Sequence, residues 1–275
     1  MNSLVIFGEI RAEFWMGDEE VNKRVLGYLL FDITHVDLEM VRIYSQFFSE
    51  KLLNTLKSRP DLSSESFFWR RLYHQHHVEH PHDVLYPRAE KSKESIIMAL
   101  DALKNRFHET ILCLECGCGP TSVFFTKDFE NNSTVKIFTV DPLAEVYDGL
   151  HKKYNTGYDL ECILGYGEKL KELFPEQEFH LVYSQNAIDH SQDPQKFIEN
   201  LPLILKPHGF LILHGYVNEG SAANWLGLHK WNITTNGHDL LLSNRDGSIN
   251  KQNLTSHLNL SVFFKSIEGN NIGDK

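Results

Sequence analysis

The hydrophobic residues of this chain follow a helical spacing up to about residue 90, and strand-like segments begin to alternate with helical ones after it. From Val21 to Lys57 apolar residues recur every three or four positions, which predicts two helices, and residues 58–61 are predicted to end the second one. The aromatic-rich stretch from Phe67 to Tyr73 predicts a short third helix. Apart from the first few residues, no convincing strand pattern precedes residue 90. Residues 1–90 are therefore predicted to form a helical cap.

Residues 91–267 show short apolar strands separated by amphipathic helices. The predicted strands are 111–115, 135–140, 162–164, 179–184 and 210–213, and the predicted helices are 91–107, 120–130, 144–154, 169–173 and 195–205. In the first helix Ile96, Ile97, Leu100 and Leu103 are predicted to share the buried face. Segments 239–242 and 261–265 are predicted to close the sheet, and 268–275 to be a disordered tail. This alternation indicates an α/β fold with a doubly wound, mostly parallel sheet.

The turn after the first of these strands carries candidate binding chemistry. Glu115 lies at the end of the strand, Gly117 and Gly119 follow at Gly-x-Gly spacing, and Asp141 ends the next strand. Glycine lets the backbone approach a ligand closely, and a carboxylate can accept hydrogen bonds from both hydroxyls of a ribose. This combination is typical of a nucleoside site in an open α/β sheet. An ordinary tight turn, with Asp141 as a helix cap, is the alternative interpretation.

The type of nucleoside cofactor depends on the residue after this turn. Ser122 occupies the position of the third glycine in a dinucleotide-binding fingerprint. A pyrophosphate site needs that glycine, because the next helix must pack closely and direct its N-terminus at the phosphates. A nicotinamide or flavin dinucleotide is therefore disfavoured, whereas a sulfonium cofactor carries no phosphate and does not need this geometry.

Five segments resemble, in order, the motifs of the class I S-adenosylmethionine-dependent methyltransferase family: 114–119, 140–142, 166–168, 179–194 and 205–211. The resemblance covers 111–214 and implies a Rossmann-like methyltransferase fold that binds S-adenosylmethionine. It implies that Gly117 and Gly119 approach the methionine part of the cofactor, that Glu115 acts on its amino group and that Asp141 holds its ribose. The other cofactor-binding residues that it implies are Gly167 and Glu168 beside the adenine, and Ser184 and Asn186 in the fourth-strand motif.

Methyl transfer to a hydroxyl also requires alignment of the acceptor and a base for its proton. His190, in the loop after the fourth strand, is the candidate base, with Asp189 beside it; a packing or capping role is the alternative. His229 and Trp231 follow the fifth strand, where this fold places acceptor contacts, although aromatic residues there also serve as core. The predicted catalytic residues are His190, Asp189 and His229.

Two groups of potential metal ligands are predicted not to bind a metal. Cys113, Cys116 and Cys118 lie where a strand runs into a turn, so alternate side chains face opposite ways, and no second cysteine pair follows. Packing is the favoured interpretation of these cysteines. A second group comprises His74, His76, His77, His80 and His82, for which a solvent-facing or substrate-lid loop is favoured over a metal. A metal-dependent enzyme built on these histidines is a further hypothesis.

Charge and composition narrow the choice of partner. The net charge is -10, so nucleic acid is disfavoured, and no apolar run approaches the roughly 18 residues of a membrane span. The N-terminus makes a poor secretion signal and the cysteines form no disulfide framework, which predicts a cytoplasmic protein. The predicted function is methylation of a small molecule, such as a hydroxyl of a sugar or secondary metabolite. A catalytically inactive regulatory or assembly subunit is the alternative, and a homodimer is compatible with the sequence.

Overall fold

A computed structural model describes residues 3–10, 60–74, 77, 87–120, 122–125, 134–156, 162–236, 239–255 and 260–267. The strands in these ranges are β1 (Ser3–Ile10), β2 (Ile111–Cys116), β3 (Val135–Asp141), β4 (Cys162–Leu164), β5 (Phe179–Gln185), β6 (Leu205–Gly215), β7 (Trp231–Thr235), β8 (Leu240–Asn244), β9 (Gln252–Asn253) and β10 (Leu260–Ile267). The helices are α1 (Pro60–His74), α2 (Pro87–Arg106), α3 (Ala144–Tyr154), α4 (Leu170–Leu173), α5 (Pro194–Ile204) and α6 (Glu219–Ala222). Short 3-10 turns lie at Val123–Phe125 and Gly167–Lys169.

The main sheet has seven strands in the order β10-β1-β6-β5-β2-β3-β4, and every neighbouring pair is parallel. The predicted doubly wound α/β fold is confirmed, with β2 to β6 as its central part. The order reverses between β2 and β5, because β3 and β4 lie on one side of β2 and β5 and β6 on the other. Ligands of open α/β sheets bind at the carboxyl ends of the strands at such a point.

The two faces of the sheet belong to separate hydrophobic cores. Successive side chains of a strand point to opposite faces, so Cys113 packs against α2 whereas Leu114 packs against α5. The first core contains Ile96, Leu100, Leu103, Cys113, Leu181 and Ile212, and the second contains Leu114, Val182, Phe197, Leu201 and Leu211. Burial on both faces explains why these strands read as continuous apolar runs.

Helix α2 buries a slightly different face from the one predicted. Ile96, Leu100 and Leu103 are buried as expected, but Ile97 is 37% exposed. Ile97 lies about 100° around the helix from Ile96, and Ala99 takes its place in the core. The buried stripe follows the spacing of positions 96, 99, 100 and 103.

One of the two predicted closing strands does not join the main sheet. The segment predicted at 239–242 becomes β8, which pairs antiparallel with β7 and β9 in a separate three-stranded sheet. Only residues 236–239 separate β7 from β8, and a connection of this length makes an antiparallel hairpin, whereas a parallel neighbour needs a long crossover. The other segment becomes β10 and lies at the edge of the main sheet beside β1.

The predicted division of the chain at residue 90 stays a prediction. The two helices predicted within 21–57 and the tail at 268–275 lie outside the described residues. Within the range of the predicted cap, β1 pairs with β6 of the main sheet, and α1 extends the predicted aromatic helix back to Pro60. No helix in the described ranges is both long and apolar enough to cross a membrane.

Candidate active site

The two glycines of the turn after β2 meet different surroundings. Both have positive φ, 72° at Gly117 and 56° at Gly119. A Cβ at Gly117 would lie 2.1 Å from the Cβ of Ala187, in the loop after β5. A Cβ at Gly119 would have no atom of the described residues within 4 Å. Gly117 therefore allows the turn to pack against a neighbouring loop, whereas Gly119 leaves an open space beside the backbone.

Asp141 connects the tip of β3 to this turn. Its Oδ2 accepts a hydrogen bond from the backbone N–H of Gly119 at 3.3 Å, and its Oδ1 accepts one from Leu143 at 2.8 Å. The side chain is buried, and burial raises the pKa of Asp141 to about 7, although the two backbone donors oppose this rise. The carboxyl group is therefore fixed at the carboxyl edge of the sheet, next to the open face of Gly119.

Glu115 lies inside the protein beneath the turn. It is 1% exposed and accepts a hydrogen bond from the Ser122 hydroxyl, whose oxygen in turn accepts one from the backbone N–H of Phe124 at 3.0 Å. Burial raises the pKa of Glu115 to about 8. A cationic group bound beside it would favour the ionised form, because an opposite charge lowers the pKa of a carboxyl group.

Two of the predicted cofactor-binding residues hold strands and loops together. The hydroxyl of Ser184 is fully buried and donates to the carbonyl oxygen of Cys116 at 2.9 Å, which joins β5 to β2. Asn186 follows β5 with a φ of 48°, and its N–H donates to the carbonyl oxygen of His214 at 3.0 Å. Both contacts fix the start of the loop between β5 and α5.

The loop after β4 supports the same region from the other side. The Oε1 atom of Glu168 accepts hydrogen bonds from the N–H groups of Gln192, at 2.8 Å, and Asp193, at 3.4 Å. A Cβ at Gly167 would lie 2.5 Å from the ring of Phe197, so glycine allows close packing on α5. The structure therefore places the side chain of Glu168 against the loop after β5.

The three predicted catalytic residues come together in one cluster. His229 Nδ1 lies 2.8 Å from Asp189 Oδ2 and 3.1 Å from His190 Nε2, and His190 Nε2 lies 3.5 Å from Asp189 Oδ2. Asp189 is buried, while the side chains of His190 and His229 are 23% and 28% exposed. The imidazole rings thus remain accessible above a buried carboxylate.

Hydrogen bonds fix the loop after β5 internally and join it to Trp231, the first residue of β7. The N–H groups of His190 and Ser191 donate to the carbonyl oxygens of Ala187 and Ile188, each at 3.2 Å. The indole N–H of Trp231, which sequence analysis places in the acceptor pocket, donates to the carbonyl oxygen of Ser191 at 2.9 Å. The loop ends where Asp193 caps α5 by accepting a hydrogen bond from Lys196 N at 3.0 Å, with Pro194 in the first helical position.

Two carboxylates that sequence analysis does not single out also act on this cluster. Glu219 Oε1, at the start of α6, lies 3.7 Å from His229 Nδ1. Burial lowers the pKa of His229, but the hydrogen bond and charge of Asp189, together with the charges of Glu219 and Glu65, raise it overall. Glu65, on α1, also raises the pKa of Asp141, so its carboxylate lies within electrostatic range of both sites. No local sequence signal marks Glu65 or Glu219, since their contacts are long-range.

The histidine-rich segment at 74–82 is described only in part. His77 stacks on Tyr154 of α3, with ring centroids 5.1 Å apart, and His74 Nδ1 lies 3.4 Å from the Tyr154 hydroxyl. The neighbouring Tyr73 hydroxyl donates to the carbonyl oxygen of Pro120, in the turn after β2. His76, His80 and His82 lie outside the described residues. The lid and metal hypotheses for this segment stay untested.

The four cysteines are buried and unbridged. Cys113 and Cys116 belong to the cores on opposite faces of the sheet, and Cys118 Sγ lies 3.2 Å from Cys162 Sγ of β4. All three cysteines of 113–118 pack within hydrophobic clusters of buried residues.

Comparison with known proteins finds a family match over the central part of the chain. A methyltransferase domain family matches residues 114–213, from the middle of β2 to β6, and so spans the glycine turn, Asp141 and the loop after β5. This match supports the resemblance of residues 111–214 to the class I S-adenosylmethionine-dependent methyltransferases. The cofactor of this family is S-adenosylmethionine, and the open face at Gly119 beside the buried carboxyl of Asp141 fits a nucleoside with a ribose.

Similarity to individual methyltransferases is limited to parts of the chain. The thiol S-methyltransferase TMT1B of Rattus norvegicus is 27% identical over 138 residues, which are 49% of this chain and 54% of that protein. The chain thus spans about half the length of this curated relative.

Among solved structures, the YcgJ protein of Bacillus subtilis is 20% identical, with a TM-score of 0.32 over 46% of this chain and 53% of that one. The trans-methyltransferase CalH, solved in complex with SAH, is 18% identical, with a TM-score of 0.32 over 42% and 34%. Likenesses of this size establish nothing about activity.

Proposed function

We propose that this protein transfers a methyl group from S-adenosylmethionine to a small-molecule acceptor. The observation that carries the proposal is the position of two built sites at one edge of the sheet. The first comprises the glycine turn and Asp141, and the second is the cluster of Asp189, His190 and His229. Glu65 lies within electrostatic range of both.

The first site has the groups that a nucleoside sulfonium cofactor requires. Gly119 leaves space for the methionine part at the turn, and Asp141 retains lone pairs that can accept hydrogen bonds from ribose hydroxyls. Glu115 lies beneath the turn as the acid for the amino group of the cofactor. The carboxyl groups of Glu65, Asp141, Asp189 and Glu219 also favour a cation in this region.

The second site would prepare the acceptor. S-adenosylmethionine, when bound, supplies an electrophilic methyl group on a positively charged sulfur. The acceptor atom must lose its proton to be a good nucleophile, and the exposed edges of His190 and His229 are placed to assist this loss. Asp189 orients His229 through the 2.8 Å hydrogen bond and stabilises positive charge on its ring.

A hydroxyl is the acceptor group that this cluster favours. A hydroxyl holds its proton tightly at neutral pH, so a buried carboxylate with two imidazoles offers a clear advantage. A thiol is the second candidate, since the relative from rat is named as a thiol S-methyltransferase. Thiols ionise near pH 8.5 and depend less on a base.

Titration of the purified protein with S-adenosylmethionine in a calorimeter tests the first half of the proposal. Turnover is then measured with labelled cofactor against panels of small hydroxyl and thiol compounds. We expect cofactor binding and methylation of a hydroxyl compound. A folded protein that binds no cofactor at high micromolar concentration contradicts the proposal.

Variants separate acceptor chemistry from cofactor binding. His229→Asn and Asp189→Asn are expected to lower kcat by about 100-fold and to leave cofactor affinity nearly unchanged. His208→Asn is the matched control, because His208 is exposed and outside the cluster. Cofactor binding without turnover on any acceptor would favour the regulatory or assembly subunit instead.

A further inference from the structure

The Asp189, His190 and His229 cluster brings three ligand-type atoms to one point. Asp189 Oδ2, His190 Nε2 and His229 Nδ1 all lie within 4.8 Å of one another, with pairwise distances of 2.8, 3.1 and 3.5 Å. In the part of the chain that the structure describes, these three side chains form a group whose ligand atoms are close enough to hold one metal ion. The atoms come from two loops 39 residues apart in sequence.

A single proton on His229 does not satisfy all three of these atoms. His229 Nδ1 carries at most one proton, and the 2.8 Å contact with Asp189 Oδ2 uses it. His190 Nε2 is then a further nitrogen 3.1 Å from the same atom. One cation in contact with all three atoms would satisfy each lone pair at once.

The distances fit such a cation. Metal–nitrogen and metal–oxygen bonds are about 2.0–2.2 Å long, which separates neighbouring ligand atoms by about 2.8–3.6 Å at tetrahedral or octahedral angles. All three observed distances lie in this range. Glu219 Oε1, at 3.7 Å from His229 Nδ1, is placed to approach as a fourth ligand. Two carboxylates and two neutral imidazoles balance a doubly charged ion.

We propose that Asp189, His190 and His229 bind a divalent transition-metal ion, with Glu219 as an additional ligand. Two imidazoles with a carboxylate suit zinc, manganese, cobalt or ferrous iron better than magnesium or calcium, which prefer oxygen ligands. The partly exposed rings leave one side of the ion open. An open position is the feature that separates catalytic from structural metal sites.

In the proposed methyl transfer, the open position would receive the acceptor oxygen or sulfur. Coordination lowers the pKa of the acceptor group, whose proton leaves to solvent, and the two imidazoles then act as ligands of the ion instead of as bases. The bond from this atom to the methyl carbon forms while the carbon–sulfur bond of the sulfonium breaks, and its electron pair stays on sulfur. This catalytic part rests on the proposed function, whereas the binding of the ion does not.

Cobalt(II) provides the direct test, because its visible absorption reports nitrogen and oxygen coordination without any turnover. The chelator-treated full chain is titrated with cobalt(II), with no S-adenosylmethionine present. We expect one equivalent to bind with a ligand-field spectrum, at least 10-fold more weakly in Asp189→Asn and in His229→Asn, and unchanged in His208→Asn. Thermal unfolding of each variant confirms that it is folded.

Other outcomes overturn the inference. Wild-type protein that gives no ligand-field spectrum, or binding equally strong in Asp189→Asn and His229→Asn, excludes this cluster as the site. If cobalt binding is lost instead in the double variant His76→Asn, His80→Asn, the ion belongs to the histidine-rich segment. Metal binding without cofactor binding would contradict the proposed function and leave the metal site standing.

Discussion

At the scale of single residues, the site depends on a few backbone and carboxyl positions whose surroundings differ. Gly117 and Gly119 share a positive φ, but only Gly117 packs against another residue. Glu115 and Asp141 are both buried acids, but only Asp141 accepts backbone hydrogen bonds from the turn. Substitutions at these positions are therefore expected to have separable effects.

Alanine at the two glycines should separate folding from binding. Gly117→Ala brings a Cβ within 2.1 Å of Ala187, so we expect a large loss of stability, beyond the 1–2 kcal/mol or so that a positive φ costs. Gly119→Ala meets no atom and should lower stability by only about 1–2 kcal/mol. Its methyl group would nevertheless occupy the open face, and cofactor affinity should fall about 10-fold or more.

Urea unfolding and cofactor titration of the two variants are the measurements, with wild type as reference. Gly119→Ala that binds the cofactor like wild type would show that the open face is not the cofactor site.

Replacement of Asp141 should weaken binding of the cofactor to an extent that depends on pH. We expect Asp141→Asn to lose about 10- to 100-fold in affinity, because it removes charged hydrogen bonds to the ribose. Since the pKa of Asp141 is about 7, wild-type affinity should rise from about pH 6 to pH 8 as the carboxylate forms. The variant should show a smaller rise in calorimetric titrations across this range.

Asp101→Asn, an exposed substitution on α2, is the matched control and should follow the wild-type curve. If the affinity of Asp141→Asn depends on pH as that of wild type does, Asp141 is not part of the cofactor site.

At the scale of elements, the loop from β5 to α5 is the part that connects the sheet to the candidate chemistry. Asn186 holds its start through His214, and Glu168 and Asp193 hold its end. Asp189 and His190 lie between these anchors. The fixed ends explain how a loop can present catalytic groups with a defined geometry.

Loss of the Glu168 carboxylate should disturb this loop more than the fold. Glu168→Ala leaves the N–H groups of Gln192 and Asp193 without their acceptor, which costs about 1–3 kcal/mol. We expect kcat to fall about 10-fold through misplacement of Asp189 and His190. Steady-state kinetics and cofactor titration should show that KM for the acceptor and kcat change while cofactor affinity changes little.

Glu172→Ala, which removes an exposed carboxylate 3.9 Å from Lys169, serves as the control. A parallel loss of cofactor affinity in Glu168→Ala would instead favour the predicted contact of Glu168 with adenine.

At the scale of the whole molecule, buried ionisable groups give the fold an unusual pH dependence. Burial raises the pKa of Glu115 to about 8 and that of Asp141 to about 7. Burial also lowers the pKa of His151 and His214 to about 4 each. The acids bind protons more tightly in the folded than in the unfolded chain, and the histidines bind them less tightly.

The free energy of unfolding should therefore change little from about pH 4.5 to 6.5, where the histidines and the acids oppose each other, and fall from about pH 6.5 to 8. From about pH 4 to 6.5 the unfolded histidines bind more protons than the folded ones, so their contribution rises with pH. The folded acids bind more protons than the unfolded ones from about pH 4 up to their folded pKa values of about 7 and 8, so their contribution falls across this range and levels off above about pH 8. Urea unfolding at several pH values measures both limbs.

Glu115→Gln should flatten the fall above about pH 7, since it removes the group with the higher pKa. Glu172→Gln, a change at an exposed carboxylate of α4, is the control. A wild-type free energy of unfolding that rises from pH 7 to 8.5 would contradict the burial of ionisable acids beneath the turn.

Much of this architecture could be predicted from sequence because its signals are local. The apolar runs of β2 to β6 and the intervening helices produced the α/β fold, and Gly117, Gly119 and Asp141 marked the site, since each signal lies within a few neighbouring residues. The burial of Ile97 was predicted wrongly because Ile96 and Ile97 are both apolar, and the sequence does not show which of two adjacent apolar residues faces the core. The cytoplasmic location, the homodimer and the helical cap stay predictions.

The sequence by itself determined the order of β2 to β6, the glycine turn and the acids at the strand tips, because these follow from short-range periodicity and residue type. Only the tertiary structure decided which distant groups come together: Asp189 and His190 with His229, Glu168 with the loop after β5, Ala187 with Gly117, and Glu65 within electrostatic range of His229 and Asp141. These contacts depend on loop packing across the carboxyl edge of the sheet, which local sequence does not encode.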